Sequence, residues 1–167
     1  MQIAKMVQLI EPQLGGEPVL AATKAVPHGA MHEVILSAAG AAVGGETTPL
    51  AAGAGAALGS QVGAPTGEAG RAERSAAGLD VGSANQVLLV VTEQRIVLFA
   101  LSAFGRPKDL TAEIDRSRVD AVYMGETSLL GQKMAEIQIV LDSGHEVGFG
   151  VAKVHRNNGG EVVAALG

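Results

Sequence analysis

Two histidines near the first quarter of the chain have the spacing of metal ligands. His28 and His32 are four residues apart with Glu33 beside them, so a helix would bring both imidazoles to one face. A zinc site needs a third ligand and supporting hydrogen bonds, and the HExxH pattern of zinc peptidases is missing. Pro27 and Gly29 also place His28 in a loop. We interpret both histidines as surface residues and expect no metal.

The remaining candidates for chemistry also favour structural roles. Gly148 and Gly150 alternate within an apolar segment without a following GK[ST], which predicts a strand in close contact rather than a phosphate loop. Glu113, Asp115 and Asp120 are scattered acids typical of solvated strand faces. His145 and His155 have no neighbouring sequence that indicates acid–base work. We therefore expect no catalytic residue, no cofactor and no enzymatic activity.

Composition limits the classes of protein that fit. The chain has 167 residues, enough for one domain with an appendage, and its Gly content of 23 accompanies an aromatic fraction of only 2%. Cys is absent, which excludes disulfides and thiolate sites. The net charge of −5 disfavours nucleic acid, which requires a clustered basic face. The N-terminus lacks the pattern of a secretory signal, so we expect a cytoplasmic protein, with membrane association kept as an alternative.

The first 18 residues predict a short amphipathic helix. Apolar side chains recur there at helical spacing, and the pattern favours a helix that lies on the domain's own core. The apolar positions are Ile3, Met6, Val7, Ile10 and Leu14.

From residue 85 onward, short apolar segments alternate with turn signals, which is typical of an antiparallel sheet. Glu93-Gln94 joins two such segments as a hairpin, and residues 102–108 read as a loop. Asp142-Ser143-Gly144 predicts a hairpin turn in which glycine takes a positive φ. One further strand lies upstream. The seven predicted strands are 18–25, 86–92, 95–101, 110–114, 118–124, 134–142 and 146–152.

The chain ends in a predicted helix. Asn158, with Glu161 three residues further on, has the pattern of a helix N-cap. Val162, Val163 and Leu166 supply one apolar face, which we expect to dock on the open end of the preceding sheet.

The segment VLLVVTEQRIVLFAL resembles the strand-turn-strand signature of bacterial pleckstrin-homology-like domains, in which a Thr-[Asp/Glu]-x-Arg turn joins two apolar strands. GRPKDLTAEIDRSRVDAV and LDSGHEVGFGVAKVHRNNGGEVVAAL continue the pattern, and EPVLAATKAVPHG supplies the opening strand. Small actinobacterial proteins of this family often carry an Ala/Gly-rich insertion after that strand. The resemblance implies a bent antiparallel sheet of about seven strands, closed by a C-terminal helix, in a binding or assembly module.

The same resemblance places Arg95 at the hairpin turn in a structural role, where Glu93 is a candidate partner. This sequence departs from lipid-reading members of the wider fold in one respect. The loop after the first strand, where those members place Lys and Arg, has neither residue between Lys24 and Arg71. We therefore expect no phosphoinositide binding.

Residues 30–63 predict an Ala/Gly-rich helical hairpin with arms 30–43 and 49–63, the second starting at Thr48-Pro49. Small residues recur there every four positions, a spacing that lets another backbone approach closely. These residues, which form a glycine zipper, are Gly40, Gly44, Ala51, Gly55, Gly59 and Gly63.

Three behaviours of this segment stay open. Several glycines within a helix favour disorder, because each costs roughly 0.5–1 kcal/mol relative to Ala. Packing on copies of itself or on a partner would restore order. Shallow contact with a bilayer is the third; each arm of about 15 residues would span about 22 Å, short of a hydrocarbon core of roughly 30 Å. The candidate membrane contacts are Val34, Ile35, Leu36, Leu50 and Leu58.

The sequence thus divides into an N-terminal helix and first strand (1–29), the hairpin (30–63), a mobile linker (64–84), and the main sheet with its helix (85–167). The function we predict is a non-enzymatic scaffold that forms a homo-oligomer or packs on a larger protein complex through the glycine zipper. The alternative is a peripheral membrane tether that inserts the hairpin shallowly.

Overall fold

Seven strands and two terminal helices make up the computed structural model, which describes residues 2–27, 86–129 and 132–167. The helices and strands are α1 (Ile3–Ile10), β1 (Val19–Pro27), β2 (Val87–Thr92), β3 (Arg95–Leu101), β4 (Pro107–Asp115), β5 (Val119–Leu129), β6 (Gln132–Leu141), β7 (Glu146–Val151) and α2 (Arg156–Leu166). Short 3-10 turns occupy Glu11–Leu14, Arg116–Arg118 and Lys153–His155.

The strands join in one antiparallel sheet with the order β4-β3-β2-β1-β7-β6-β5. β1 connects the two halves, because it pairs with β2 from Val19 to Ala25 and then with β7 at Val26 and Pro27. The prediction of an α+β chain, with a sheet of seven antiparallel strands between two terminal helices, is confirmed. The predicted hairpin 30–63 and linker 64–84 lie outside the described residues.

The inner face of the sheet carries the larger apolar core. Alternate residues of every strand contribute to it, including Leu89, Leu98, Ile137 and Phe149, all fully buried. α2 closes this core through Val162, which is also fully buried. Burial of this kind contributes about 25 cal/mol per Å² of apolar surface, so the inner core holds the two halves of the sheet together.

The outer face of the β1–β4 half carries a second apolar cluster, which α1 covers. Met6, Ile10 and Leu14 pack there with Leu88 and Phe99. The helical spacing of the first 14 residues therefore predicted the covering helix correctly. Because α1 covers one face and the inner core the other, all six residues of β2 are buried.

The C-terminal helix begins earlier than its sequence indicates. Asn158 was predicted as the N-cap, but α2 starts at Arg156, directly after the 3-10 turn that ends at His155. The 3-10 turn leads directly into α2, and its last residue, His155, stands at the N-cap position without a side-chain capping bond. Gly159 then faces the sheet, and a Cβ there would meet Met124, Val151 and Ile137 at 3.4–3.6 Å.

The other predicted boundaries differ by a few residues. β4 begins at Pro107, inside the predicted loop 102–108, and β5 continues to Leu129, five residues past its predicted end at 124. Within the described parts of the chain, no helix is long and apolar enough to cross a membrane.

Candidate functional site

The β2–β3 hairpin is organised around one buried hydroxyl. Thr92 ends β2, and its Oγ1 accepts hydrogen bonds from the backbone N–H groups of Gln94 (3.3 Å) and Arg95 (3.0 Å). A threonine hydroxyl has a single proton. Of its two acceptors, the Glu17 carboxylate at 2.7 Å is closer than the Arg95 carbonyl at 3.0 Å, so we assign the proton to the carboxylate. Thr92 thereby fixes both the turn and the start of β1.

Arg95, the first residue of β3, joins two carboxylates from different parts of the chain. Its Nη2 lies 2.8 Å from Glu17 Oε1, and its Nη1 pairs with Glu113 on β4. The exposed fractions of the three side chains are 27% for Arg95, 17% for Glu17 and 51% for Glu113. Arg95 Nε is buried and has no hydrogen-bond partner among the described residues. The guanidinium therefore ties the N-terminal segment to the hairpin and to edge strand β4.

The ionisation of these groups follows from their partners. The hydrogen bond from Thr92 lowers the pKa of Glu17 most, burial opposes it by raising the pKa, and the hydrogen bond and charge of Arg95 lower the pKa further. The hydrogen bond to Glu17 raises the pKa of Arg95. On the same side, bonds from Ser117 lower the pKa of Asp115, whose Oδ1 accepts from the Ser117 amide at 2.8 Å. All three groups are held in their charged forms.

A shallow open depression of about 360 Å³ lies over this cluster, which we call the Arg95 site. Its lining residues are Glu17, Gln94, Arg95, Glu113, Ile114 and Asp115. A general acid or base at neutral pH needs a pKa near 7, whereas the shifted carboxylates here have lowered pKa values. The chemistry that this arrangement supports is ion pairing and hydrogen bonding. Among the described residues, no three His, Asp or Glu side chains are grouped as metal ligands.

A second feature is apolar and lies near the ends of β1 and β3. Phe104, in the turn between β3 and β4, is 88% exposed, and Val154, in the 3-10 turn before α2, is 81% exposed. Lys24 lies close to the first of these turns, since a Cβ at Gly105 would be 3.2 Å from its Nζ. Burial lowers the pKa of His155 in the second turn, and the charge of Lys24 lowers it further. We call Phe104 and Val154 the exposed apolar pair.

Three of the predicted site residues, Glu93, Arg95 and Gly144, lie among the described residues. Gly144 lies in the β6–β7 turn with a φ of 80°. Glu93 is exposed in the β2–β3 turn, and the partners of Arg95 are Glu17 and Glu113 rather than this neighbour. The predicted oligomer contacts Gly40, Gly44, Ala51, Gly55, Gly59 and Gly63, and the predicted membrane contacts Val34, Ile35, Leu36, Leu50 and Leu58, lie outside the described residues.

Sequence reasoning missed Glu17 and the acceptor role of Glu113. One signal was present for each. Glu17 lies between the Gly15-Gly16 turn signal and the first strand. The strand fixes the position of this carboxylate, which favours a partner of opposite charge. Glu113 alternates with the buried Ala112 and Ile114, which places it on the solvent-facing side of β4. Neither signal identifies Arg95 as the partner, because the pairing depends on the order of the strands in the sheet.

The fold and the Arg95 site define an α+β protein, with a seven-stranded antiparallel sheet whose N-terminal segment is held by ion pairs. Compared with known proteins, the chain matches no protein-family model, no curated protein and no solved structure.

Proposed function

We propose that the chain is a non-enzymatic assembly module with a pleckstrin-homology-like sheet. It self-associates, or packs on a partner complex, through the glycine zipper of residues 30–63. The order β4-β3-β2-β1-β7-β6-β5 and the terminal α2 support the assignment of the sheet. The Thr-Glu-Gln-Arg turn supports it as well, since Arg95 lies at the hairpin turn where the resemblance places it, and Thr92 accepts a hydrogen bond from its amide.

The observation that carries the proposal is the closeness of the two points that residues 28–85 connect. Ala25 of β1 pairs directly with Val87 of β2, so Pro27 and Gln86 lie at the ends of neighbouring strands. The Leu101 amide also donates to the Gln86 carbonyl at 2.9 Å, which fixes the start of β2 against the end of β3. A long glycine-patterned segment is thus connected at both ends to neighbouring strands of the sheet. An anchored segment loses less entropy on binding than a free tail.

The glycine zipper supplies the packing surface in this proposal. Small residues at four-residue spacing form one row on a helix and let a second backbone approach closely. Gly59 lies in the centre of the second arm's row, between Gly55 and Gly63. Gly53 belongs to the same arm and precedes Gly55 by two residues. Two residues turn a helix by about 200°, so Gly53 would fall on the side opposite to Gly55. A comparison of substitutions at Gly59 and Gly53 therefore separates the loss of the packing row from the general effect of replacing a glycine in this arm.

The test is the solution mass of the full chain and two single variants, measured by light scattering after size exclusion. Gly59→Leu is expected to dissociate the oligomer, and Gly53→Leu to retain it. Both variants should keep the thermal transition of the sheet, because neither residue belongs to the seven described strands. An unchanged mass for Gly59→Leu, or an equal loss of mass for Gly53→Leu, would contradict the glycine zipper.

A second candidate, peripheral membrane association, is favoured by the exposed apolar pair. Phe104 and Val154 are the two most exposed large apolar side chains among the described residues, and Lys24 lies beside the turn that carries Phe104. Apolar side chains near a cation suit the interfacial region of a bilayer. Vesicle flotation distinguishes this candidate from the first. A tether would float with the vesicles, and Phe104→Ser with Val154→Ser would float less, whereas a scaffold would stay in the dense fraction.

A further inference from the structure

The outer face of the β1–β4 half is an apolar surface that depends on one covering element. Ala22, Leu88, Val90, Val97 and Phe99 form it, and each is at most 6% exposed with α1 in place. Exposure of these five apolar side chains to water would be unfavourable. A chain whose α1 left this face would therefore bind another apolar helix there.

α1 has little stability of its own. It has eight residues, and among the described residues its N-cap Gln2 makes no side-chain hydrogen bond. Lys5 lies in its first turn and Glu11 directly follows its last, so both charges oppose the helix dipole. Isolated helices shorter than about 12–15 residues are marginal in water. α1 is therefore helical because Met6 and Ile10 dock on the sheet.

A two-glycine hinge connects α1 to a fixed point. Leu14 to Glu17 form a tight turn, in which the Glu17 amide donates to the Leu14 carbonyl at 3.3 Å. Both central residues, Gly15 and Gly16, have positive φ, 66° and 88°, which residues other than glycine rarely adopt. Directly after the hinge, Glu17 is held by Thr92 and Arg95. The turn therefore folds α1 back on its own sheet, and the chain is fixed from Glu17 onward.

We propose that the outer face of the β1–β4 half is a helix-binding site at which two copies of this chain exchange α1 once the Gly15–Gly16 turn opens. When the Gly15–Gly16 turn opens, α1 of one copy covers the outer face of the other, and the reverse exchange covers the first. The second copy fits this site because it brings Met6, Ile10 and Leu14 to the same sheet residues at the same spacing. The exchange uses residues 2–17 and is independent of the glycine zipper.

The hinge provides a clean perturbation. A Cβ at Gly15 or Gly16 would have nothing within 4 Å, so the main effect of Gly15→Val with Gly16→Val is on the backbone preference. Valine disfavours positive φ, which opens the turn and sends α1 to a neighbour. Gly144 is the matched control, since it also has a positive φ (80°) and open space around its Cβ, but lies in the β6–β7 turn.

The experiment measures the solution mass of the full chain with Gly59→Leu present throughout, so that the glycine zipper does not contribute. The hinge variant is expected to have twice the mass of its parent, and Gly144→Val the mass of the parent. Adding Met6→Ser to the hinge variant should reverse the doubling, because Met6 is fully buried against the outer face. The proposal fails if the folded hinge variant keeps the parent's mass, or if Gly144→Val doubles as well.

A second measurement decides the question should the hinge variant not fold. A fluorescent peptide of residues 2–17 is titrated with the full chain carrying Met6→Ser, whose own α1 docks more weakly. The wild-type peptide should bind at least tenfold more tightly than a peptide with Met6→Ser. Equal or absent binding of the two peptides would overturn the exchange. Failure of the glycine zipper would instead leave the parent mass unchanged by Gly59→Leu, so the two proposals fail separately.

Discussion

The Thr92 hydroxyl and the Glu17 carboxylate, 75 residues apart in sequence, are joined by a 2.7 Å hydrogen bond. The bond links the start of β1 to the β2–β3 turn, and Arg95 adds an ion pair to the same carboxylate at 2.8 Å. The N-terminal segment is therefore attached to the sheet at both ends of its turn, by the packing of α1 on one side and by charge on the other.

Thr92→Val is expected to destabilise the chain by about 1–3 kcal/mol, because valine keeps the volume and removes the hydroxyl. Two backbone amides, of Gln94 and Arg95, would lose their acceptor, and Glu17 would lose its donor. Thr92→Ser keeps the hydroxyl and is expected to cost about 0.8 kcal/mol for one lost methyl group. Urea unfolding of both variants measures the difference. Equal stability of the two would show that the hydroxyl contributes nothing.

Much of the fold was predictable from local pattern. The apolar spacing of α1 and the strand segments β2 and β3 depend on near neighbours in sequence, and the structure agrees with all three. Two details were not predictable in this way. Asn158 has the pattern of a cap, but the preceding 3-10 turn sets the helix start. Arg95 has a local candidate in Glu93, but the strand order brings Glu17 and Glu113 to it instead.

Stability should fall in acid through Glu17. Hydrogen bonding from Thr92 and pairing with Arg95 lower its pKa, so the folded chain favours the ionised form. The stabilisation is present above the ordinary glutamate pKa of about 4.3, and it is lost as the pH falls through the lowered value. Glu17→Gln removes this component, so its melting temperature should fall less on acidification than that of the wild type.

Glu146→Gln is the control for this pH dependence, because Glu146 is an exposed carboxyl at the start of β7. This variant should follow the wild-type curve of melting temperature against pH. If Glu17→Gln also follows that curve, the Glu17 carboxylate is not linked to folding.

Arg95→Lys tests the geometry of the ion pairs at constant charge. The two guanidinium nitrogens reach Glu17 and Glu113 separately, whereas a lysine has one amine for both. We expect a loss of about 1 kcal/mol, limited by the partial exposure of the cluster. Glu113→Gln should cost less than about 1 kcal/mol, since Glu113 is half exposed. Chemical denaturation of both variants gives the comparison. A larger loss for Glu113→Gln than for Arg95→Lys would contradict the role of Arg95 in joining both carboxylates.

Gly160→Ala should stabilise α2 by about 0.5–1 kcal/mol, since glycine within a helix loses more backbone entropy than alanine. Gly160 lies in the interior of α2, and a Cβ there would have nothing within 4 Å, so no packing penalty offsets the gain. Gly144→Ala is the matched control. Its Cβ also enters open space, but its φ of 80° disfavours alanine, so this variant should lose stability. Thermal melting of the two variants is expected to shift in opposite directions from the wild type. A shift of both in the same direction would show that backbone conformation does not determine the effect of these glycines.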